Sequence, residues 1–363
     1  MYLYASKRKV IGLNKNSLIS MNNTFYRFAK WSLVLVYLVI VAGALVRMTG
    51  SGMGCPDWPK CFGYYIPPTN VETLQWSPER YFEKGQVIIY NEGLLVAKKD
   101  FKASTAIDLA AWEPYTKHDY AVFNPYHTWV EFLNRLVGAV AGLATLVLAF
   151  LSLRYWKEKK SITLLSFGVV LGMGFQAWLG ATVVYSVLAP VKITTHMLMA
   201  LAIVAALILI LQKASPRKEN TIYSPNFHKA ISLLLFIFIW QIVFGTQVRE
   251  FVDHQLDAGL SKENWLLQPN LIFYLHRSFS LLPLGLAGYL FWMHQKQQLG
   301  FTMTKSLLSA MLVAAFSGMA MYYIDFPVGT QPIHLVIAAI LFGQIFYLFL
   351  QSRKAKNNIS KTK

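Results

Sequence analysis

Three polar residues that could carry chemistry open a long apolar run in the first half of the chain. They are Glu131, Asn134 and Arg135. Charged side chains within a membrane-spanning segment are costly, so they are usually paired or functional. A second segment, His276 and Arg277, opens a later apolar run and has a histidine where the first segment has Asn134. These segments predict two related polar sites, one in each half of the chain.

Two histidines in the second half indicate a flat cofactor. His276 and His334 stand near the predicted outer ends of two helices, so their imidazoles could bind the iron of a haem from opposite faces. Copper and zinc also bind histidine, but no third nitrogen or sulfur ligand accompanies this pair. The alternative is two packed, hydrogen-bonded histidines. Their positions, which recur in the first half, favour haem.

The first half has a less symmetrical version of this pocket. His196 takes the position that corresponds to His334, and Asn134 takes that of His276. An amide is a poor iron ligand, so a haem held by His196 alone would keep an open coordination position where O₂ could bind. Glu131 lies nearly one helical turn before Asn134 on the same face. An acid there suits proton delivery or stabilisation of positive charge.

Four arginines fall at the predicted outer membrane boundary. Guanidinium groups match carboxylates, so these residues could bind the two propionates of each haem. Interfacial snorkelling is the alternative. Glu131 could instead be a partner of Arg135 or Arg47, and His127 could either approach the first pocket or cap the outer interface. The four arginines are Arg47, Arg135, Arg249 and Arg277.

The composition is that of a membrane protein. The chain of 363 residues is 55% hydrophobic and only 14% charged, and apolar runs of about 20 residues recur along it. The net charge of +17 lies in the tails and in alternate connections, which follows the positive-inside rule and argues against binding of nucleic acid. We therefore predict a multi-pass protein of a cell inner (cytoplasmic) membrane, in contact with the lipid bilayer, with both termini cytoplasmic and no cleavable signal peptide.

The predicted fold is all-α, with eight transmembrane helices as two pseudo-symmetric four-helix bundles. Matching residues in the same order, such as those of 43–47 and 245–249, indicate a duplication, and chance similarity is the alternative. The predicted spans are 31–48, 129–155, 162–187, 193–211, 230–248, 271–294, 305–324 and 332–350. The predicted regions are a tail (1–30), an N-terminal half (31–212) with a long outside loop (49–127), a linker (213–229), a C-terminal half (230–351) and a tail (352–363).

The two cysteines, Cys55 and Cys61, both lie in the first outside segment. An oxidising compartment favours a disulfide there, two free thiols are the alternative, and metal binding is weaker because no histidine is near. The aromatic content of the outside loop predicts an ordered cap on the membrane surface. Residues 64–127 exceed what the helical core needs, and a lid over the open pocket is their predicted role.

The residues together resemble a known family, the haem A synthases of the cytochrome oxidase assembly pathway. The resemblance covers nearly all of residues 25–350 and is most specific in the segment Gly43–Gly63, in Glu131–Arg135 and in the histidines at 196, 276 and 334. It implies an eight-helix protein whose C-terminal half binds a haem b cofactor. The N-terminal half would receive haem O as substrate and oxidise its C8 methyl group to the formyl group of haem A.

The resemblance also implies residue roles. Glu131 would be catalytic, His196 would bind the substrate iron, His276 and His334 would bind the iron of haem b, and the two cysteines would form a disulfide. The family motif Glu-x-x-His-Arg has Asn134 in place of its histidine here. This departure predicts a five-coordinate or weakly six-coordinate substrate haem, with His196 alone or with His127 or water completing the site.

Two other classes of function remain open at this point. A di-haem b electron carrier linked to quinone would need a histidine pair in each half, and Asn134 argues against it. A haem-binding assembly chaperone without chemistry would have no use for Glu131. The family implies further partners, namely the haem O synthase, oxidase assembly factors and an electron donor, and a homo-oligomer is possible.

Overall fold

A computed structural model describes residues 15–116, 122–185, 190–215 and 220–362. Most of these residues are helical. In the hydrocarbon of a bilayer no water can pair with the backbone, and a helix pairs each backbone N–H and C=O group within its own segment. The helices are α1 (Lys15–Met48), α2 (Pro125–Ser152), α3 (Lys160–Tyr185), α4 (Pro190–Ala214), α5 (Pro225–Asp257), α6 (Leu271–Phe279), α7 (Leu281–Gln297), α8 (Thr304–Tyr323) and α9 (Thr330–Thr362).

Eight helical segments of the described chain are long and apolar enough to cross a membrane, with α6 and α7 together forming one of them. The predicted multi-pass helical fold is therefore confirmed. Helices α1 to α4 pack against one another, as do α5 to α9, and contacts of α9 with α1 and α4 and of α5 with α4 join the two halves. Their shared core includes Leu207, Leu234 and Ile345, each fully buried. The duplication itself stays a prediction.

The predicted helix ends were wrong where helices extend beyond the apolar segment. The first helix begins at Lys15 rather than at residue 31, and the last continues to Thr362 instead of ending at residue 350. Hydropathy marks only the part of a helix that lies in hydrocarbon, and a helix can continue into the polar region. Phe25 and Ala29 are fully buried, which stabilises the early turns of α1. Residues 1–14 of the predicted tail and the predicted third-span end at residue 187 lie outside the described chain.

The sixth predicted span is divided between α6 and α7 at Ser280. Pro283 lies in the first turn of α7 and has no backbone N–H to continue the hydrogen-bond ladder. The Ser280 hydroxyl donates to the carbonyl of Arg277, and its amide donates to that of His276. The break therefore comes just after the polar segment that carries His276.

The long outside loop forms a small β unit. Its strands are β1 (Tyr81–Phe82), β2 (Val87–Tyr90), β3 (Gly93–Ala97), β4 (Phe101–Lys102) and β5 (Trp112–Pro114). Strands β1 and β4 pair antiparallel, and β2, β3 and β5 form a second antiparallel sheet in that order. Phe82, Ile88 and Trp112 are buried in one small core, and Leu74 and Val87 are buried in another beside the cysteines.

Candidate functional site

The C-terminal half brings its two predicted ligands together. His276 on α6 and His334 on α9 have ring centroids 6.2 Å apart with an interplanar angle of 69°. Two imidazole nitrogens bonded to one metal ion at about 2.0–2.1 Å would place their ring centroids roughly 6 Å apart. The spacing therefore fits a single iron held between the two rings.

Both rings are held through Nδ1. His334 Nδ1 lies 3.0 Å from the Ala314 carbonyl and 2.9 Å from the Ser317 hydroxyl, and His276 Nδ1 lies 3.1 Å from the amide nitrogen of Gln241. The contact of His334 Nδ1 with the Ala314 carbonyl is the kind that orients a histidine ligand of a metal, because the nitrogen that does not bind the metal donates its N–H. At His276 the contact is different, because the Gln241 amide nitrogen is a donor and faces Nδ1. Among the described residues neither Nε2 has a hydrogen-bond partner. The Ala314 carbonyl favours the tautomer of His334 that leaves Nε2 free for iron, whereas His276 reaches that tautomer only if Gln241 presents its unpaired Oε1 to Nδ1.

Glycines make room for these imidazoles. A Cβ at Gly245 would lie 3.1 Å from His276 Cε1, and one at Gly318 would lie 3.4 Å from His334 Cε1. At Gly245 in particular, a larger residue would push the ring away, because real Cβ contacts are rarely so short. In the sequence Gly245 stood out only as part of the repeated segment. The structure shows that it leaves space for the His276 imidazole where α5 packs on α6.

The N-terminal half repeats this packing with a different residue set. A Cβ at Gly43 would lie 3.9 Å from Asn134 Oδ1, and one at Gly180 would lie 3.7 Å from His196 Cε1. The His196 carbonyl accepts a hydrogen bond from Gln176 at 3.0 Å. His196 Nδ1 and Asn134 Oδ1 are both buried and have no partner within the described chain.

Buried polar atoms are usually paired, so these two orphaned atoms are compatible with a ligand between them, although Ser32 and Gln176 of the same bundle also have unpaired buried atoms. The donor set of the N-terminal half, one imidazole and one amide, offers a single strong iron ligand. It fits an iron porphyrin held through His196. The described residues contain no group of three or more histidine, cysteine, aspartate or glutamate side chains that could hold a metal ion.

Glu131 is 4% exposed and is bound from two sides. Its Oε1 accepts from Arg135 Nη2 at 2.5 Å, and its Oε2 accepts from the backbone N–H of Cys55 at 2.9 Å. Arg135 Nη1 in turn donates to the carbonyls of Asp57 and Lys60 at 2.7 and 2.8 Å. The ion pair of Glu131 with Arg135, one of the two alternatives from the sequence, is therefore present, and the other terminal nitrogen of the guanidinium binds the outside loop.

The loop that holds this ion pair is closed by the disulfide between Cys55 and Cys61. The Asp57 carboxylate accepts from the amides of Phe62 and Gly63 at 2.5 and 2.8 Å. Burial raises the pKa of the Asp57 carboxyl group, while those two amides and the Arg135 guanidinium oppose the shift. The ring of residues 55–61 thus supplies one donor to Glu131 and two acceptors to Arg135.

The loop also docks directly on α2. The Thr128 hydroxyl donates to the Gly54 carbonyl at 2.7 Å, and a Cβ at Gly54 would lie 2.4 Å from the His127 carbonyl, so this position needs glycine. His127 Nδ1 lies 3.1 Å from the Gly50 carbonyl, which fits the capping alternative for this histidine.

Of the three other predicted arginines, two bind the same carboxylate and the third lies over an aromatic ring. Arg47 forms an ion pair with Asp253, and Arg249 Nη2 binds the same carboxylate at 2.7 Å. Arg249 Nη1 also donates to Gln331 at 2.6 Å. Asp253 thus joins α1 of the first half to α5 of the second, and the pairing of Glu131 with Arg47 is wrong. Arg277 lies over the ring of Tyr274, with Cζ 5.3 Å from its centroid.

A small cavity of about 160 Å³ lies beside this charge cluster and is also lined by Lys262 and Trp265. The Nε atoms of Arg47 and Arg249 are buried without a partner in the described part of the protein, so each guanidinium has a donor to offer. Sequence reasoning missed Asp253. The signal was its position four residues after Arg249, the spacing of a helical ion pair.

A model of the family described as cytochrome oxidase assembly protein (COX15-CtaA) matches residues 26–346. A heme A synthase of Shewanella oneidensis is 27% identical over 59% of this chain and 53% of its own length. Heme A synthases of Flavobacterium psychrophilum and Alkalihalophilus pseudofirmus are 24% and 23% identical, each over 86% of this chain and over 93% and 92% of their own lengths. Because the family match extends over most of its length, this chain belongs to the cytochrome oxidase assembly protein family.

Proposed function

We propose that this protein is a haem A synthase. It oxidises the C8 methyl group of haem O by successive hydroxylations to a gem-diol, which loses water to give the formyl group of haem A. The relatives named heme A synthase support this activity. The observation that carries the proposal is the N-terminal site, in which His196 and Asn134 have unpaired buried atoms and Glu131 lies nearly one turn from Asn134.

The C-terminal site fits haem b as the resident cofactor. His276 and His334 would hold the iron through their Nε2 atoms, with the ring orientations set by Gln241 and Ser317. Arg249 lies in the same half and has an unpaired Nε for a propionate. When bound, haem b supplies a centre that accepts and passes on single electrons.

Each site residue of the N-terminal half has a separate role in the proposed reaction. His196 binds the substrate iron, and Asn134 leaves the opposite side without a strong protein ligand. Arg135 and the Cys55 amide hold the Glu131 carboxylate in one orientation, as an acid or base in catalysis requires. Glu131 takes up a proton at a carboxylate oxygen or stabilises positive charge that develops at the reacting carbon.

The location follows from charge and topology. We place the protein in the cell inner membrane with both termini in the cytoplasm, because its lysines and arginines concentrate in the tails and in alternate connections. The site residues Glu131 and His276 then lie toward the outer surface. An electron donor and the enzyme that supplies haem O are the partners that this chemistry requires.

Extraction and chromatography of the haems test the proposal. Protein purified from cells that also make haem O should yield haem b together with haem O, haem A or a hydroxylated intermediate. Haem b as the sole extracted species would contradict the synthase and favour an electron carrier. Haem O that is bound but never converted, with a reductant and O₂ supplied, would favour a haem-binding chaperone.

A further inference from the structure

An apolar groove runs between α3 and α4 in the N-terminal half. It has a volume of about 600 Å³, within the range of small-molecule sites. Its lining is mostly apolar, and Lys213 and Ser161 lie at the cytoplasmic end. We propose that this groove binds the isoprenoid tail of the substrate haem. The inference rests on the proposed function and assigns a place to one part of its substrate.

The groove continues the helix face that carries His196. Met199, Ile203 and Ala206 follow His196 at intervals of three or four residues, so they form one stripe along α4. From Met199 to Leu209 the stripe extends for about 15 Å at the helical rise per residue. An extended farnesyl chain is of comparable length, so a tail on a haem at His196 can lie along it.

Small residues open the groove on the side of α3. A Cβ at Gly168 would meet no heavy atom within 4 Å, so the space beside this glycine is free of protein. One turn further along, α3 and α4 are in contact, because a Cβ at Gly172 would lie 3.0 Å from Met199 Cε. Leu164 in the groove wall is 61% exposed, so the groove opens toward the bilayer, from which a prenylated substrate would enter.

The chemistry of the substrate agrees with the direction of the groove. Propionates are most stable at the outer polar boundary, where Arg47 and Arg135 lie. The isoprenoid tail is attached to the opposite edge of the porphyrin, which then faces the membrane interior. The groove begins at Met199, three residues after His196, and runs in this same direction. A hydrocarbon chain gains free energy by leaving polar surroundings for such an apolar surface.

At the corresponding place in the C-terminal half a side-chain hydrogen bond joins the two helices. Gln344 on α9 donates to the Ser306 hydroxyl on α8 at 2.9 Å, which forms a polar bridge between the helices. Counted from the site histidine on the last helix of each half, Ser306 and Gln344 occupy the positions of Gly168 and Ala206. The half proposed to hold haem b, which has no isoprenoid tail, therefore has a bridge where the substrate half has a groove.

The proposal is tested by introducing the serine and glutamine of this bridge at the corresponding positions of the groove. The double variant Gly168→Ser with Ala206→Gln is purified at full length with its C-terminal site already filled by haem b. It is then titrated with haem O and, separately, with further haem b, and binding at the N-terminal site is followed by absorption spectroscopy. We expect affinity for haem O to fall about tenfold, since several buried methylene groups lose contact, while affinity for haem b stays unchanged. Gly174→Ser is the matched control, because Gly174 is also open on α3 but does not line the groove.

Two results would overturn the assignment. Unchanged affinity for haem O in the double variant would mean that the groove holds only membrane lipid. An equal loss for haem O and haem b would mean that the substitutions damaged the haem site instead of a tail site. If the double variant does not fold, Ala206→Phe fills the same space without added polar groups. Conversion of haem O by the unsubstituted protein is measured alongside, so that failure of the proposed function is distinguished from failure of the groove.

Discussion

In the C-terminal half both site histidines have contacts at Nδ1, whereas in the N-terminal half His196 Nδ1 and Asn134 Oδ1 have none within the described chain. Glycines support the polar residue in every case. The same helix packing thus presents two pre-oriented imidazoles in one half and a single imidazole in the other. A resident cofactor benefits from two strong ligands, while a substrate must exchange and react.

The two halves also differ at their predicted outer ends, where one has an apolar side chain and the other an acidic one. At the position of Glu131 the C-terminal half has Phe273, whose ring stacks on Tyr322 with centroids 5.1 Å apart. Glu131 instead receives hydrogen bonds from Arg135 and from the disulfide loop at Cys55. One half therefore closes its outer end with apolar packing, and the other places a held carboxylate there. Four substitutions test this contrast, from the largest expected effect to the smallest.

Removal of a ligand from the C-terminal half should abolish haem b binding. His334→Ala leaves one imidazole and an opened cavity, so we expect the haem b content of the purified protein to fall close to zero by pyridine haemochrome assay. His196→Ala is the matched variant and should leave haem b in place. Full retention of haem b in His334→Ala would refute the assignment of this ligand.

Neutralisation of the buried acid should block product formation without loss of haem. Glu131→Gln keeps the shape and the acceptor for the Cys55 amide but removes the negative charge, and we expect haem A formation to fall by about 10²–10⁴-fold. Haem content, measured on the same preparations, should not change. Continued haem A formation at the normal rate would remove Glu131 from the mechanism.

Restoration of the second histidine should make the N-terminal half resemble the C-terminal half. We expect Asn134→His to add a second low-spin bis-histidine signal in low-temperature EPR of protein loaded with haem O, and to slow conversion because the open side of the iron is occupied. Asn134→Gln is the control and should leave the spectrum unchanged. Two bis-histidine signals already present before substitution would contradict the role given to Asn134.

Removal of the carboxylate shared between the halves should have the smallest effect. Asp253→Asn leaves Arg47 and Arg249 without their common partner, but all three side chains are 22–28% exposed, so water offsets part of the loss. We expect a destabilisation of about 1 kcal/mol, measured as a lower midpoint of thermal unfolding. Glu79→Gln, which breaks an exposed ion pair in the β unit, is the control and should have no measurable effect.

Much of the fold was predictable because a membrane span is a local property. The spans were found from their apolar length, and the predicted disulfide and the pairing of Glu131 with Arg135 are both present. The β unit was missed because its strands of two to five residues carry little periodic signal. The ends of α1 and α9 were missed because polar helical turns beyond the bilayer look like tails.

The amino-acid sequence by itself determined which chemical groups are present and which of them lie near the ends of apolar helices, because residue type and apolar length are read along the chain. Tertiary structure decided which of these groups meet. Asp253 binds arginines from both halves, the backbone of the disulfide loop holds Glu131, and α3 and α4 separate at Gly168. Such contacts depend on how helices pack across large sequence separations, which the sequence does not show directly.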